Sequence, residues 1–176
     1  MIGPKLILPD ARYKDSYAAA LREGLHLDPA KEEDIILVEK DLDAYFKKRN
    51  DMSRPVILPS GKQVKKLPQT DLWLVDNGKF LGMTSIRPQL NEHLLQRGGN
   101  IGYAVRKSER RKGYGVLILK LALPYVRTLG LDKVLITCHD QNTGSIKIIE
   151  GAGGVLQDKI NVEGIPILER RYWIKL

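Results

Sequence analysis

The chain is poor in cysteine, histidine and large aromatics: among its 176 residues are one Cys, three His, two Trp and two Phe. The single Cys138 excludes an intramolecular disulfide and fits a reducing, cytoplasmic setting. His26, His93 and His139 are scattered without metal-ligand spacing, so no metal is expected. No apolar run approaches the ~20 residues that span a bilayer. The richest stretch, 116–126, is broken by Lys120 and Pro124. The apolar block near the N-terminus is short and has no small-residue cleavage site behind it, so neither a signal peptide nor a membrane partner is expected. Repeats, low-complexity tracts and long linkers are also missing, which points to one domain over residues 1–176.

What is present is a hydrophobic fraction of 43% with 28% charged residues, the balance of an ordinary folded domain. Lys and Arg number 29 against 21 Asp and Glu, a formal charge of +8. Such an excess suits either a nucleic-acid surface or a pocket for a smaller polyanion. With so few aromatics for base stacking and no nucleic-acid motif, nucleic acid is not expected as a partner.

Hydrophobic spacing predicts a strand at 5–9, a helix at 15–23 stopped by Gly24, and a helix at 31–48 with Ile35, Val38, Leu42, Tyr45 and Phe46 on one stripe. Residues 50–69, with Pro55, Pro59, Gly61 and Pro68, read as a long loop. A hairpin follows at 71–87 around Asn77-Gly78, a pair suited to the positive φ angles of a type I′ turn. Residues 89–97 read as one or two helical turns, 100–105 as a strand, and the segment after Gly115 as a helix that Pro124 should kink. A strand at 133–138, a helix at 142–150 and two strands at 155–162 and 167–175 complete the chain. This order gives a mixed sheet flanked by helices, of α/β or α+β class.

The chemistry concentrates at 99–115. A strand runs into a turn where Arg106, Lys107, Arg110, Arg111 and Lys112 face Glu109 alone, and Gly113 and Gly115 stand where a helix begins. Free N–H groups at a helix start carry the positive end of the dipole. Glycine lets the main chain approach a phosphate with no Cβ in the way. The alternative is a solvated basic turn capped by glycines. No P-loop pattern occurs, and Gly151-Ala152-Gly153-Gly154 follows a predicted helix, so it reads as a cap and turn.

Arg110-Arg111-Lys112-Gly113-Tyr114-Gly115 resembles the [RQ]-x-x-G-x-[GA] pyrophosphate loop of the GNAT acetyltransferase superfamily. The likeness continues through 134–138 into the Asn142–Gly154 block, covers about 72–154, and is closer to a bacterial branch. It implies a mostly antiparallel central sheet flanked by helices. It also implies acetyl transfer from acetyl-CoA to the amine of a small molecule or peptide, in a ternary complex. By that resemblance Ala104, Val105 and Arg106 offer backbone to the pantetheine amides, with the Val105 amide facing the thioester carbonyl. Arg110, Arg111, Lys112, Gly113, Tyr114 and Gly115 hold the pyrophosphate, and Asn142 and Ser145 the pantetheine arm. Asn142 also reads unaided as a helix N-cap.

Many relatives carry a Tyr acid seven residues after the Asn, where this chain has Ile149. Tyr103, Tyr114 and Tyr172 qualify as substitutes by chemical type only. A catalytically weak or inactive CoA-binding module is therefore the alternative expectation. Glu92 and His93 are the candidate bases, with His139 and Asp140 behind them. Cys138 and His139, adjacent on a strand, point to opposite faces, so no thiol–imidazole dyad is expected and Cys138 reads as a buried apolar residue. Acceptor contacts are expected from 25–31, 50–69 and 89–98, where Arg54, Lys62, Lys65 and Lys66 disfavour a polycationic amine beside the second of these. Dimerisation is common in this fold, which leaves a homodimer open.

Overall fold

The computed structural model describes residues 3–25 and 30–176. His26 and most of the 25–31 loop lie outside the described residues. The elements run β1 (Lys5–Ile7), α1 (Lys14–Arg22), α2 (Glu32–Lys40), α3 (Leu42–Arg49), β2 (Val56–Ile57), β3 (Gln63–Val64), β4 (Thr70–Asp76), β5 (Lys79–Ile86), α4 (Glu92–Gln96), β6 (Ile101–Val105), α5 (Tyr114–Thr128), β7 (Lys133–His139), α6 (Thr143–Gly151), β8 (Val155–Ile160) and β9 (Glu169–Lys175). The strands form a four-stranded sheet in the order β1-β4-β5-β6, a three-stranded sheet β7-β9-β8, and the small pair β2-β3. β1 and β4, β2 and β3, and both neighbours of β9 pair antiparallel. The expected α/β class with an antiparallel sheet is thus present, with its strands shared between two larger sheets.

The chain divides into two compact units, one of residues 1–51, 71–84 and 103–121, the other of 52–70, 85–102 and 122–176. The first is organised around an aromatic cluster. Tyr17 of α1 packs 4.4 Å from Trp73 and 5.0 Å from Phe80, ring centre to ring centre, and Tyr45 and Phe46 of α3 close the group. Full burial of each such ring contributes roughly 1.5–3 kcal/mol. Polar ties fix the same elements. The Phe80 N–H donates to Ser16 Oγ at 3.0 Å, and Arg49 pairs with the buried Asp71 at 3.1 Å. The second unit is built on β9, whose Tyr172 and Ile174 are buried beside Val134 and Ile136 of β7.

Two elements depart from the expectation. The single helix at 31–48 is broken at Asp41, whose backbone is extended (φ −152°, ψ 96°) and whose carboxylate accepts the Ala44 N–H at 2.9 Å. An aspartate at that place starts a new helix, while the apolar stripe Ile35, Val38, Leu42 and Tyr45 runs on across the break. The loop at 50–69 contains a short hairpin, β2-β3, where Val56 faces Val64 and Ile57 faces Gln63. The 77–78 turn forms as expected, with φ of 45° at Asn77 and 76° at Gly78. α5 continues through Pro124, which is exposed.

Candidate functional site

In the first unit the strand β6 is the last of its sheet, so among the described residues one side of its main chain has no strand neighbour. The Arg106 N–H donates to the Leu81 carbonyl, and the Arg87 N–H to the Asn100 carbonyl. In an antiparallel pair bonded residues alternate. Ala104 and Arg106 therefore face β5, and the peptide groups of Tyr103 and Val105 turn outward. The Val105 carbonyl receives the Arg110 Nε at 3.4 Å, which leaves the Val105 amide as the outward donor at the strand's end.

Beyond Val105 a 3-10 turn (Lys107–Glu109) leads to the basic loop. Arg111 has φ of 65° and Gly113 φ of 81°. Left-handed residues close together turn successive N–H groups to one side, the geometry of an anion-binding nest. The amides of Arg111, Lys112 and Gly113 meet no acceptor among the described residues. α5 starts at Tyr114, so its first N–H groups are free as well. A Cβ at 113 would project into open space, where a bound phosphate could sit.

The loop is pinned from outside. Arg106 reaches Glu23 at 2.6 Å and the Ser16 carbonyl and hydroxyl, and Glu23 also accepts the Ser108 N–H at 3.0 Å. The Arg106 hydrogen bond holds the Glu23 carboxyl down at about 2. Glu109, nearly buried, takes both Lys112, at 2.8 Å, and Lys79, and hydrogen bonding to the two lysines lowers its pKa. Of the basic residues expected at a phosphate, Arg106 and Lys112 thus have their side chains in ion pairs. Arg110 and Arg111 remain exposed, as does Lys107. Tyr114 packs with the apolar cluster of Leu74, Leu81 and Ile118.

In the second unit Asn142 caps α6, its Oδ1 accepting the Ser145 N–H at 3.0 Å, and its own N–H donates to the His139 carbonyl at 2.9 Å. The cap reading holds, and Asn142 itself is exposed. Ile149 is completely buried, so its position presents nothing to a ligand. Tyr172 is buried too. It donates to Glu150 at 3.0 Å and accepts from Arg170 at 3.1 Å, and burial raises its pKa. Asp140 is engaged by Arg170 at 2.5 Å and Lys159 at 3.0 Å, and hydrogen bonds from both lower its pKa. Neither is poised for proton transfer. Cys138 is buried, and desolvation pushes its thiol up to about 11, which keeps it protonated and inert.

The same unit contains a cavity of about 390 Å³ that the β2-β3 hairpin, α4 and the loop before β9 line together. Leu58, Val64 and Val162 give it apolar walls, while Lys62, Glu92 and His93 give it polar ones. Asn91 joins two of these walls. Its Oδ1 caps α4 through the Leu94 N–H, and its Nδ2 donates to the Lys65 carbonyl at 3.2 Å. Burial, then Arg97 and Arg87, lower the His93 pKa. At neutral pH its imidazole is therefore uncharged and able to accept a proton. The structure brings the two candidate bases to one cavity. Val162 and Glu163 lie outside the segments expected to meet an acceptor, and they reach this cavity only through folding.

The Acetyltransferase (GNAT) domain model matches residues 37–155, about two thirds of the chain. The chain belongs to the GNAT acetyltransferase family. The match takes in β6, the basic loop and the start of β8. Solved structures of the family share the fold at low identity. The Microcin C7 self-immunity acetyltransferase MccE, in complex with acetyl-CoA and AMP, is 15% identical with a TM-score of 0.64, over 100% of this chain and 94% of that one. The spermidine/spermine N-acetyltransferase SpeG of Vibrio cholerae, in mutant forms, is 14% identical at 0.62, over 98% and 94%. RimL, a ribosomal L7/L12 α-N-protein acetyltransferase in complex with coenzyme A, is 12% identical at 0.64, over 100% and 96%. No curated protein matches the sequence. Among the described residues no helix is long and apolar enough to cross a membrane.

Proposed function

We propose that this GNAT acetyltransferase, acting as one domain over residues 1–176, moves an acetyl group from acetyl-CoA to a primary amine by direct transfer in a ternary complex. The observation that carries the reading is the loop at 110–115. Its unpaired amides, the left-handed Arg111 and Gly113, and two exposed guanidinium groups meet at the start of a 15-residue helix. These are the groups a pyrophosphate needs. The outward peptide group of Val105 supplies a strand edge for the pantetheine amides, and its N–H is the donor for the thioester oxygen. Asn142 offers its Nδ2 to the same arm, with Ser145 next to it. Acetyl-CoA brings the activated acyl group, and the chain's residues hold and orient it.

The acceptor amine is taken up in the cavity beside α4. His93, neutral at pH 7, accepts the proton that the attacking amine must lose, and Glu92 at the exposed end of α4 draws the ammonium form toward it. Two of the acetyltransferases named above carry different acceptors in their names, spermidine/spermine and ribosomal L7/L12, so the identity of the amine is left to this cavity. The test is thiol release from acetyl-CoA across a panel of primary amines, paired with thermal shift by acetyl-CoA. Stabilisation together with amine-dependent release supports the reading; no stabilisation by acetyl-CoA or CoA overturns it.

Ile149 favours a second reading. With that side chain sealed in the core of the second unit, the usual tyrosine acid has no counterpart at its place, as in a module that binds acyl-CoA without turning it over. Stabilisation by acetyl-CoA with no release on any amine would support it.

A further inference from the structure

His139 and Glu169 lie directly opposite each other in the antiparallel pairing of β7 with β9. Directly opposed side chains share a face of the sheet, so the register alone sets the imidazole beside the carboxylate. Glu169 is almost fully buried, with 4% of its side chain exposed, and buried carboxylates need partners. One oxygen has a partner: Oε1 accepts the Thr137 hydroxyl at 2.9 Å, and that hydroxyl in turn accepts the Gly98 N–H. The other, Oε2, stands 3.2 Å from His139 Nδ1 and 3.8 Å from Arg97 Nε. Neither Oε2 nor Nδ1 has a well-aligned hydrogen bond, although both are sealed from solvent. The imidazole as a whole is 36% exposed, so it is its other edge that meets the outside.

Such an arrangement is costly for stability alone, because it leaves two buried polar atoms incompletely satisfied. It is the arrangement of a histidine whose second nitrogen is kept for chemistry, with a carboxylate fixing the ring and the proton on the first. Contacts of this kind are commonly misaligned before a ligand is bound. Chain position adds a second argument: the His139 carbonyl holds the N–H of Asn142, the residue assigned above to the pantetheine arm. The other charged groups nearby are engaged elsewhere, Asp140 with Arg170 and Lys159.

We propose that His139 is the proton donor to the departing thiolate, with Glu169 as its positioning residue, in the role that Ile149 leaves open. This rests on the acetyltransferase reading. When the amine nitrogen bonds to the acyl carbon and the C–S bond breaks, sulfur leaves with the bonding pair and takes the proton from Nε2. Nδ1–H stays on Glu169. The proton lost by the amine passes to His93, which releases it to solvent, and His139 regains one from solvent, so no net proton is gained or lost.

The test has two arms on the full chain. The first is the nitrogen NMR signature of His139, which needs no substrate. The neutral imidazole is expected to carry its proton on Nδ1 and to lose that preference in Glu169→Gln. A neutral imidazole that carries its proton on Nε2 and leaves Nδ1 bare overturns the proposal. The second is turnover with an amine found to be accepted. His139→Gln is expected to lower kcat by about a hundredfold or more, with the KM for acetyl-CoA unchanged and circular dichroism confirming the fold. Glu169→Gln is expected to fall in the same direction by a smaller factor. A kcat within about twofold of the parent in His139→Gln, against the larger loss that removal of a general acid brings, overturns the assignment and leaves the acetyltransferase reading standing. Failure of the parent protein to bind acetyl-CoA overturns both.

Discussion

The basic loop at 106–115, proposed for the cofactor, and the cavity beside α4, proposed for the acceptor, are built in opposite ways. The frame of the loop is tied by side-chain ion pairs, Arg106 to Glu23 and both Lys112 and Lys79 to Glu109, while the amides of Arg111 to Gly113 are left open. The cavity is held chiefly by backbone and cap bonds, such as those of Asn91, and Lys62, Glu92 and His93 on its walls are left for whatever enters. A pyrophosphate has one shape and charge, so a rigid frame aimed at it costs little on binding. An acceptor amine can vary in shape and charge, so under the proposed reading the side chains that meet it are the ones a fold can vary.

The sharpest break in this comparison comes from Gly113→Glu. A residue other than glycine at φ 81° is strained by about 1–2 kcal/mol, and the new carboxylate enters the open space where the phosphates belong. Stabilisation by acetyl-CoA is expected to disappear while the folded circular dichroism spectrum remains. The cavity is struck by His93→Gln, expected to lower kcat about a hundredfold with acetyl-CoA binding untouched. Because the His93 pKa lies below the ordinary 6.5, the acidic limb of the parent's pH–rate profile falls below that value. In the variant this limb is lost.

A smaller effect separates the pins from the ligand groups. Glu23 has its carboxyl lowered from 4.5 to about 2. A depressed carboxylate contributes stability that is complete above the unfolded value and fades as pH falls toward the folded one. The Tm difference between the parent and Glu23→Gln is therefore expected to be full at pH 7 and to shrink between about 4.5 and 2. The smallest change is at Asn142. Replacement by glycine keeps most of an N-cap, at a cost of a few tenths of a kcal/mol, whereas alanine costs about 1 kcal/mol. Weaker acetyl-CoA binding in Asn142→Gly at nearly constant Tm assigns the side chain to the ligand; unchanged binding leaves it a cap alone.

The same contrast explains what could be read from the sequence. The loop is contiguous, so the chemistry proposed for Arg110 to Gly115 and the strand before it is written as a string of letters. The Asn77-Gly78 turn and the α6 cap at Asn142 were legible for the same reason, since each is a local rule of backbone geometry. Asp41 carried its own signal, a cap residue within an apolar stripe, but the stripe's unbroken period masked the break. What stayed hidden depends on distant partners. Glu23 and Glu109 could not be seen as pins, nor Val162 as a neighbour of His93. The facing of His139 and Glu169 depends on the β7-β9 register, which no local pattern states.

Amide chemical-shift mapping shows whether the amides of 111–115 receive the pyrophosphate. Coenzyme A is expected to move the signals of Arg111, Lys112, Gly113 and Gly115 strongly, and pantetheine, which has no pyrophosphate, is expected to leave them in place. If coenzyme A instead leaves these amides still while shifting those of the β2-β3 hairpin, the account of the loop is contradicted.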